Sequence, residues 1–355
     1  MRPDWFTKRV LKWFDLHGRH DLPWQEDNDP YRVWVSEIML QQTQVTTVIP
    51  FYERFIARFP TVAALAGAEL DEVLHHWTGL GYYARGRNLH KAARVIAHDL
   101  DGRFPVGVEA LSELPGIGRS TAGAISAIAQ GVRAPILDGN VKRVLARFHA
   151  VAGYPGQTAT QKSLWELAEA HTPNTRVADY TQAIMDLGAT VCTRQPRCEV
   201  CPVAERCDAL AQGATDDFPG RKPKRSKPTR TARMFLIVAP DGACLLEQRP
   251  AKGVWGGLWI PPQRGPDCDV PAVLREFDIP ESAVAESRVE PGFRHTFTHF
   301  HLDIEPVHVR LRARPLPGVR DGTDCLWYRR EDDTEVGLSA PAVALLDSLK
   351  EFELA

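Results

Sequence analysis

Hydrophobic positions along the chain follow two different periods. In the first half, apolar side chains recur every three or four positions in four segments: residues 31–59, 61–80, 88–100 and 120–131. This spacing predicts amphipathic helices. Later in the chain, RMFLIVAPDGACLLEQRP predicts two strands joined by a Pro-Asp-Gly turn, and HTFTHFHLDIEPVHVRLRAR predicts further strand. LSAPAVALLDSLKEF predicts a closing helix with Ser339 as its N-cap.

The change of period divides the chain into three parts. We predict an all-helical domain at residues 1–212, a basic linker at 213–232 and an α/β domain at 233–355, a multi-domain fold of class α plus α/β. The stretch 221–233 carries seven basic residues, no acidic residue, and two prolines that prevent a regular helix. Such a run is either a solvated linker or a linker that contacts phosphate groups.

Composition narrows the class of protein. The 355 residues are 44% hydrophobic and 25% charged, with a formal net charge of −2, as in ordinary soluble proteins. The N-terminal stretch MRPDWFTKRVLKWFDLHGR is interrupted by charge every few residues, so it predicts neither a secretory signal nor a membrane span. We therefore expect an intracellular protein. The net charge alone gives no argument for or against nucleic acid.

Four of the chain's seven cysteines lie close together, with spacing C-x5-C-x2-C-x5-C: Cys192, Cys198, Cys201 and Cys207. Thiols this close in a reducing compartment predict a metal site rather than disulfides. Four sulfurs suit either zinc or a [4Fe-4S] cluster. A zinc ribbon normally has two C-x2-C pairs, whereas this segment has one, so the spacing favours iron–sulfur without excluding zinc.

A glycine-rich turn precedes the predicted helix at 120–131. LPGIGRSTAGAI places Gly116 and Gly118 just before that helix, where backbone amides form a site for a phosphate group. A simple glycine-rich helix entry is the alternative. The longer pattern Leu-Pro-Gly-Ile-Gly resembles a helix-hairpin-helix element, here at about residues 110–130, which holds DNA through its backbone without reading the sequence.

Several longer segments resemble the endonuclease III superfamily of helix-hairpin-helix DNA glycosylases, and within it the adenine DNA glycosylases of the MutY family. They are LPWQEDNDPYRVWVSEIMLQQTQV, GLGYYARGRNL, LPGIGRSTAGAI, LDGNVKRVLAR, the cysteine segment 192–207, GVWGGLWIPP and HTFTHFH. The resemblance implies a helical glycosylase domain with a [4Fe-4S] cluster, followed by a Nudix-like α/β domain. It departs from the family in one place: five residues separate the first two cysteines, where relatives usually have six. We expect the shorter spacing to affect the geometry of the loop that carries Arg194 and Arg197, and not the ability of the cysteines to ligate a cluster.

The same resemblance implies a reaction and a partner. The expected activity is base-excision repair: excision of adenine mispaired with 8-oxoguanine or guanine, leaving an abasic site. The expected partner is double-stranded DNA containing these mispairs. We expect a monomer in the bacterial cytoplasm, associated with the nucleoid, with downstream repair proteins as further partners and no membrane.

Breaking an N-glycosidic bond requires a proton on the departing base and negative charge near the cationic sugar, so two differently tuned carboxyl groups are needed. Glu37 lies in the apolar stretch VWVSEIML, which should raise its pKa, and Asp138 precedes a predicted helix, whose dipole favours the ionised form. Taken alone, Glu37 fits a solvated helix face and Asp138 an N-cap. The resemblance implies that Glu37 is the acid and base, that Asp138 stabilises the cation, and that Asn140 supports Asp138.

Adenine in a duplex must be flipped out of the stack before it can react. The resemblance implies that Gln42 and Tyr82 insert beside the lesion and that Trp24 lines the adenine pocket, although a surface amide and core aromatics fit the same pattern. At Ser120, glycosylase-lyases carry a lysine that forms a Schiff base. Serine therefore predicts a monofunctional enzyme, with Lys142 as a nearby amine.

The second domain is expected to recognise the base opposite adenine. Phe297, Thr298 and His299 match the family's 8-oxoguanine contact, which is usually Phe-Ser-His. The stretch after Arg275-Glu276 lacks the paired glutamates of Nudix hydrolases, so pyrophosphate hydrolysis is not expected. An alternative is a metal site at His295, His299 and His301, if these share a strand face.

Two other function classes share parts of the pattern. An endonuclease III-like glycosylase-lyase for oxidised pyrimidines would share the hairpin and the cluster, but Ser120 and the extra domain argue against it. A non-enzymatic DNA-binding protein would share the hairpin and the basic run, but it would not require Glu37 and Asp138.

Overall fold

The computed structural model describes residues 2–223, 226–314 and 324–352. Its contacts divide it into two compact units. The first comprises the described residues up to Gly67 and those from Asn88 to 223, and the second comprises Ala68–Arg87 and the described residues from 226 onward.

Helices dominate the first unit and strands the second. In chain order the helices are α1 (Arg2–His17), α2 (Pro30–Leu40), α3 (Val45–Arg58), α4 (Val62–Gly67), α5 (Leu70–Trp77), α6 (Ala84–Asp99), α7 (Val108–Ser112), α8 (Arg119–Gln130), α9 (Gly139–Phe148), α10 (Thr158–His171), α11 (Val177–Asp186), α12 (Asp208–Ala211), α13 (Val270–Glu276) and α14 (Ala340–Phe352). A π-helical turn, Leu187–Val191, follows α11. None of the described helices has both the length and the apolar character that crossing a membrane requires.

In the first unit, α8 packs against both α2 and α11. The side chain of Asp29 caps α2 by accepting a hydrogen bond from the Arg32 amide (3.0 Å). Gly123 allows an extended segment to lie directly on α8, because a Cβ there would be 2.5 Å from the Pro135 carbonyl oxygen. That extended segment leads into α9, so α2, α8 and the start of α9 are brought together.

The second unit is built around an eight-stranded sheet. Its strands are β1 (Thr229–Val238), β2 (Cys244–Gln248), β3 (Trp259–Ile260), β4 (Gln263–Arg264), β5 (Val284–Val289), β6 (Phe293–Thr296), β7 (His301–Leu311) and β8 (Cys325–Tyr328). The main path is β3-β2-β1-β7-β5, with β1 and β7 parallel. β4 pairs with β1, β6 with β7 and β8 with β2.

Both faces of this sheet are covered, because alternate residues of a strand point to opposite faces. Met234 and Leu236 of β1 pack in one core with Leu345 of α14. Phe235 packs in a second core with Leu274 of α13. An α/β architecture with one helix on each face follows.

Many of the sequence predictions are confirmed. The chain is helical in the four predicted segments, β1 and β2 form the predicted hairpin with Gly242 in its turn, and the Ser339 side chain caps α14 by accepting from the Ala342 amide (3.2 Å).

The structure also differs from the predicted pattern in three places. Residues 295–314 form two strands with a turn between them, rather than one run of strand. Residues 229–232, assigned to the linker, begin β1. Ala68–Arg87 belongs to the same unit as the sheet, although it lies far inside the predicted N-terminal domain. Periodicity reports local structure and carries no information on which distant elements pack together.

Candidate functional site

Glu37 lies on α2, between the buried residues Ser36 and Ile38. Its side chain keeps part of its surface accessible. As expected from the apolar neighbours, burial raises the pKa of Glu37 to about 8, and repulsion from the nearby Asp138 carboxylate adds to the rise. Glu37 therefore keeps its proton at neutral pH.

Asp138 is the N-cap of α9, and its Oδ1 accepts a hydrogen bond from the Val141 amide (2.8 Å). Burial raises the pKa of Asp138, whereas hydrogen bonds from the Val141 and Asn140 amides and the charges of Arg143 and Lys142 lower it. The helix N-terminus thus acts in the expected direction, but the net shift is upward, contrary to the expectation. Of the two carboxyl groups, Asp138 is the one whose surroundings include hydrogen bonds and positive charges that favour the ionised form.

Ser120 lies in the first turn of α8, beside the catalytic candidates. Its Oγ accepts a hydrogen bond from the Leu137 amide (2.9 Å). This bond fixes the backbone immediately before Asp138. A hydroxyl can accept this bond, whereas a protonated lysine has no acceptor.

Trp24 is buried in a short 3-10 turn, Pro23–Gln25. Its ring meets the Tyr52 ring edge to face, with centroids 5.3 Å apart. The two aromatic side chains form an apolar wall, which suits a nucleobase as well as it suits a core.

The glycine-rich turn has the geometry of a helix-hairpin-helix. Gly116 has a φ of 79°, and a Cβ there would be 2.7 Å from the Asn88 Cβ. Gly118 is the N-cap of α8 and is exposed, with open space around the position of a Cβ. The first amides of α8 therefore face a surface that a phosphate group can approach closely.

Gln42 and Tyr82 share two unusual features, each within its own unit. Both are exposed, and both have positive φ, 59° for Gln42 and 48° for Tyr82. A positive φ in a residue other than glycine costs backbone strain, and six other described residues share it. Tyr82 follows Gly81, and the Arg85 guanidinium lies 5.4 Å from its ring centroid. Both side chains stand at the tips of turns.

The four cysteines line a single cavity, together with apolar side chains of α9 and the π-helical turn. Among the described residues, their sulfurs do not form a group of three or more lying within 4.8 Å of one another. Tetrahedral zinc with Zn–S bonds of about 2.3 Å would hold thiolates about 3.8 Å apart. The wider spacing and the all-sulfur donor set fit a larger group such as a [4Fe-4S] cluster.

Two arginines of α9 hold the cysteine segment, although no motif in the sequence marks them for this role. Arg143 donates to the Cys192 carbonyl (2.6 Å), the Gly188 carbonyl (2.7 Å) and Asn140 Oδ1 (2.8 Å). Arg147 is buried and donates to the Thr193 carbonyl (2.5 Å) and toward Cys192 Sγ (3.4 Å). Their spacing of four residues in NVKRVLAR places them on one helix face. This spacing was the only feature of the sequence that pointed to a shared role.

Phe297, Thr298 and His299 lie in the turn between β6 and β7, closed by a hydrogen bond from the Phe297 amide to the Phe300 carbonyl (2.9 Å). Phe297 stacks on Phe300, with centroids 4.5 Å apart, and also contacts the Trp255 ring at 5.2 Å. Thr298 and His299 are exposed. The turn thus presents two polar side chains on an aromatic base.

Two residues of the basic stretch contact this turn. Lys227 Nζ donates to the Phe297 carbonyl (2.7 Å), and the Arg230 guanidinium lies 4.6 Å from the Phe300 ring centroid. Lys227 and Arg230 therefore contact the protein itself. The sequence predicted only a solvated linker or a linker that contacts phosphate groups.

The alternative histidine metal site is contradicted. His295 lies on β6, His299 in the turn and His301 on β7, so the three residues do not share a strand face. Within the described ranges, they do not appear as a group of close metal-ligating atoms.

In the second unit, Arg264 forms an ion-pair network with Glu247 and Glu276. Arg264 donates to both carboxylate oxygens of Glu247 (2.8 and 3.0 Å) and to Glu276 (2.6 Å). A fixed guanidinium neutralises the two carboxylates, so they are poor ligands for a metal.

Comparisons with known families match both parts of the chain. Residues 35–170 match the family described as HhH-GPD superfamily base excision DNA repair protein. Residues 233–348 match the family described as NUDIX domain.

Individual proteins are similar over most of the chain. An adenine DNA glycosylase of Buchnera aphidicola subsp. Schizaphis graminum is 35% identical over 346 residues, 97% of this chain and 99% of that protein. The Homo sapiens adenine DNA glycosylase is 39% identical and covers 92% of this chain, which matches 70% of the human protein. Among solved structures, a thermostable thymine-DNA glycosylase is 29% identical with a TM-score of 0.54, over 59% of this chain and 97% of that one.

Proposed function

The chain belongs to the adenine DNA glycosylases, a family of base-excision repair enzymes, and from this premise we propose that it hydrolyses the N-glycosidic bond of adenine paired with 8-oxoguanine or guanine in duplex DNA. The observation that carries the proposal is the Glu37–Asp138 pair. Burial keeps the proton on Glu37, while the N-terminus of α9 favours the charge of Asp138.

In the proposed reaction, the protonated Glu37 carboxyl donates its proton to a ring nitrogen of the flipped-out adenine, which makes the base a better leaving group. The Asp138 carboxylate stabilises the positive charge that develops on the sugar. Glu37, now ionised, accepts a proton from the water that attacks the sugar. The products are free adenine and an abasic site.

Ser120 supports a reaction that stops at this point. A lysine at this position would supply an amine for a Schiff base, whereas Ser120 instead accepts a hydrogen bond from the Leu137 amide. The DNA strand is then left intact at the abasic site.

DNA binding and base flipping are assigned to separate elements. The amides around Gly116 and Gly118 would hold a backbone phosphate. Gln42 and Tyr82, exposed at the tips of two turns, would fill the space that the adenine leaves. Trp24 would form one wall of the pocket that receives the base.

We assign recognition of 8-oxoguanine to the β6–β7 turn. The exposed Thr298 hydroxyl and His299 ring offer hydrogen-bonding groups to a base edge, and Phe297 beneath them is held by Trp255 and Phe300. Lys227 and Arg230 stabilise this turn and add positive charge close to the DNA.

Cys192, Cys198, Cys201 and Cys207 would hold the [4Fe-4S] cluster. Glycosidic hydrolysis transfers no electrons. The cluster, when bound, would therefore serve to fix the fold of the cysteine segment. Arg143 joins that segment to Asn140, two residues beyond Asp138.

The decisive test measures single-turnover cleavage by the wild type and Glu37→Gln. The substrates are duplexes with adenine opposite 8-oxoguanine, adenine opposite guanine, thymine opposite guanine, and thymine glycol, each with and without alkali. We expect adenine release that gives strand breaks only after alkali, and a loss of about 10²–10⁴-fold in Glu37→Gln. Glu53→Gln, at an exposed position on α3, should match the wild type. Cleavage at thymine, or a near wild-type rate for Glu37→Gln, would refute the proposal.

A further inference from the structure

Helix α5 carries a second set of metal-ligating side chains. Glu72 and His76 are four residues apart and therefore lie on one face of α5. Glu335, from the segment before α14, meets them: one ligand atom from each of the three residues lies within 4.8 Å of the other two. Within the described ranges, no other set of three or more histidine, cysteine, aspartate or glutamate side chains converges this closely.

The backbone around Glu335 is fixed against α5. A Cβ at Gly337 would be 2.5 Å from the Leu74 Cβ, so only glycine allows this approach. The Leu338 amide donates to Thr78 Oγ1 (3.3 Å), and the Tyr83 hydroxyl donates to the Leu338 carbonyl (2.8 Å). The third ligand is thus presented by a rigid segment rather than by a free loop.

The three residues offer one imidazole and two carboxylate groups, and they differ in burial. Glu72 Oε1 and His76 Nε2 are buried, whereas Glu335 is exposed, so the site is open on one side. Two carboxylates this close repel each other unless a positive charge lies between them. One imidazole nitrogen and two carboxylates leave a fourth tetrahedral position for water, a pattern that zinc accepts. Calcium and magnesium prefer sets made only of oxygen atoms.

We propose that Glu72, His76 and Glu335 bind a divalent transition-metal ion of the zinc class, with water completing its coordination. The ion ties α5 to the segment before α14 and so steadies the turn that follows α5, which carries Tyr82. The competing explanation is that a protonated His76 neutralises the two glutamates without any metal. The proposal does not depend on the catalytic assignment.

The test uses full-length, cluster-loaded protein that has been freed of loosely bound metal with a chelator. Zinc is titrated by calorimetry, with manganese and magnesium in parallel, while iron content is followed to exclude exchange at the cysteines. We expect one zinc equivalent beyond the cluster and a rise in Tm on its addition. His76→Gln and Glu335→Gln should each weaken zinc binding at least about tenfold, and magnesium should bind poorly.

His75→Gln is the matched control, since His75 is an exposed neighbour on the same helix and lies outside the group. It should bind zinc like the wild type and show the same rise in Tm. The absence of a zinc equivalent beyond the cluster would overturn the proposal in favour of a protonated His76. Equal losses in His75→Gln and His76→Gln, or unchanged binding in all three variants, would overturn the assignment to these residues.

Discussion

At the scale of single residues, the raised pKa of Glu37 makes the stability of the folded protein depend on pH. Between its ordinary pKa of 4.5 and about 8, the unfolded chain has lost this proton and the folded chain keeps it. The folded state then binds more protons, so stability must fall as pH rises through this window, by up to about 1.4 kcal/mol per pH unit. Below pH 4.5 both states are protonated and the effect vanishes.

Glu37→Gln removes this linkage. We therefore predict that the stability of the variant relative to the wild type increases from about pH 5.5 to about pH 7.5, by roughly 1–3 kcal/mol. Urea titrations of both proteins at the two pH values measure the difference. Glu53→Gln, an exposed site on α3, should show no such gain. A pH-independent difference for Glu37→Gln would mean that Glu37 is ionised in the folded protein.

A second prediction concerns Ser120. Ser120→Lys should add strand cleavage through a Schiff base, detected as covalent complex after borohydride reduction. The substitution also removes the acceptor of the Leu137 amide, which should cost about 1–3 kcal/mol of stability. Activity per folded molecule must therefore be compared.

Ser120→Ala separates these two effects, since it loses the same hydrogen bond without gaining an amine. Trapping by Ser120→Lys should exceed that of Ser120→Ala in a Lys142→Ala background, where the neighbouring amine is absent. Equal trapping in the two folded variants would show that residue 120 does not face the sugar.

The sequence predicts some residue environments better than others. The apolar neighbours of Glu37 are local, so the direction of its pKa shift follows from VWVSEIML. The pKa shift of Asp138 is harder to predict, because the burial of its side chain depends on distant elements. The effect of this burial on the pKa outweighs that of the helix N-terminus. The contacts of Lys227 and Arg230 with the β6–β7 turn join residues about seventy positions apart, and charge patterning gives no sign of them.

At the scale of elements, α9 joins the proposed reaction site to the cysteine segment. Asp138 caps its N-terminus, and Arg143, one turn further on, holds Asn140 and the Cys192 carbonyl. Arg143→Lys keeps the charge but cannot donate to three acceptors in one plane. We predict a loss of about 2–3 kcal/mol of stability, lower iron and sulfide content per chain, and slower adenine excision.

Arg194→Lys is the control for Arg143→Lys, because Arg194 is exposed on the same segment, and its iron content should be unchanged. Wild-type iron and sulfide content in Arg143→Lys would contradict the role given to Arg143. Zinc without sulfide in wild-type protein purified anaerobically would contradict the cluster itself.

Elements were predicted well where the pattern is long and periodic, as in the helices of the first unit and the β1–β2 hairpin. They were predicted less well at interruptions. HTFTHFHLDIEPVHVRLRAR reads as continuous strand because Phe297 and Phe300 are both apolar, yet both belong to the turn between β6 and β7. Their aromatic stacking replaces the glycine or proline that usually marks such a turn.

For the whole molecule, the unexpected feature is that Ala68–Arg87 belongs to the unit that contains the sheet. Asp71 of α5 accepts hydrogen bonds from Trp259 Nε1 (3.2 Å) and Gln248 Nε2 (3.1 Å), and Arg87 donates to the Gly256 carbonyl (2.6 Å). Contacts across such sequence separations have no periodic signature. The turn with Tyr82 therefore depends on residues that follow the linker.

This dependence changes what a chain ending near Arg230 should do. Such a truncation removes Thr298 and His299, so we predict the loss of most of the preference for 8-oxoguanine over guanine, roughly 1–3 kcal/mol per lost base contact. It also removes every partner of Asp71 named above and the Leu338 contacts of Tyr83. Adenine excision opposite guanine should therefore fall as well, because the Tyr82 turn loses its support. Single-turnover rates for both mispairs at one fixed salt concentration measure the two effects.

Full-length variants separate these effects. Thr298→Ala combined with His299→Ala should reduce the preference for 8-oxoguanine and leave excision opposite guanine near the wild-type rate, because α5 keeps its partners. Tyr83→Phe, which loses only the hydroxyl bonded to the Leu338 carbonyl, should do the reverse: it should slow both reactions by a similar factor and keep the preference. If the double variant retains the full preference, the β6–β7 turn does not read the damaged base. If the truncated protein excises adenine opposite guanine at the wild-type rate, the turn with Tyr82 does not need the sheet-containing unit.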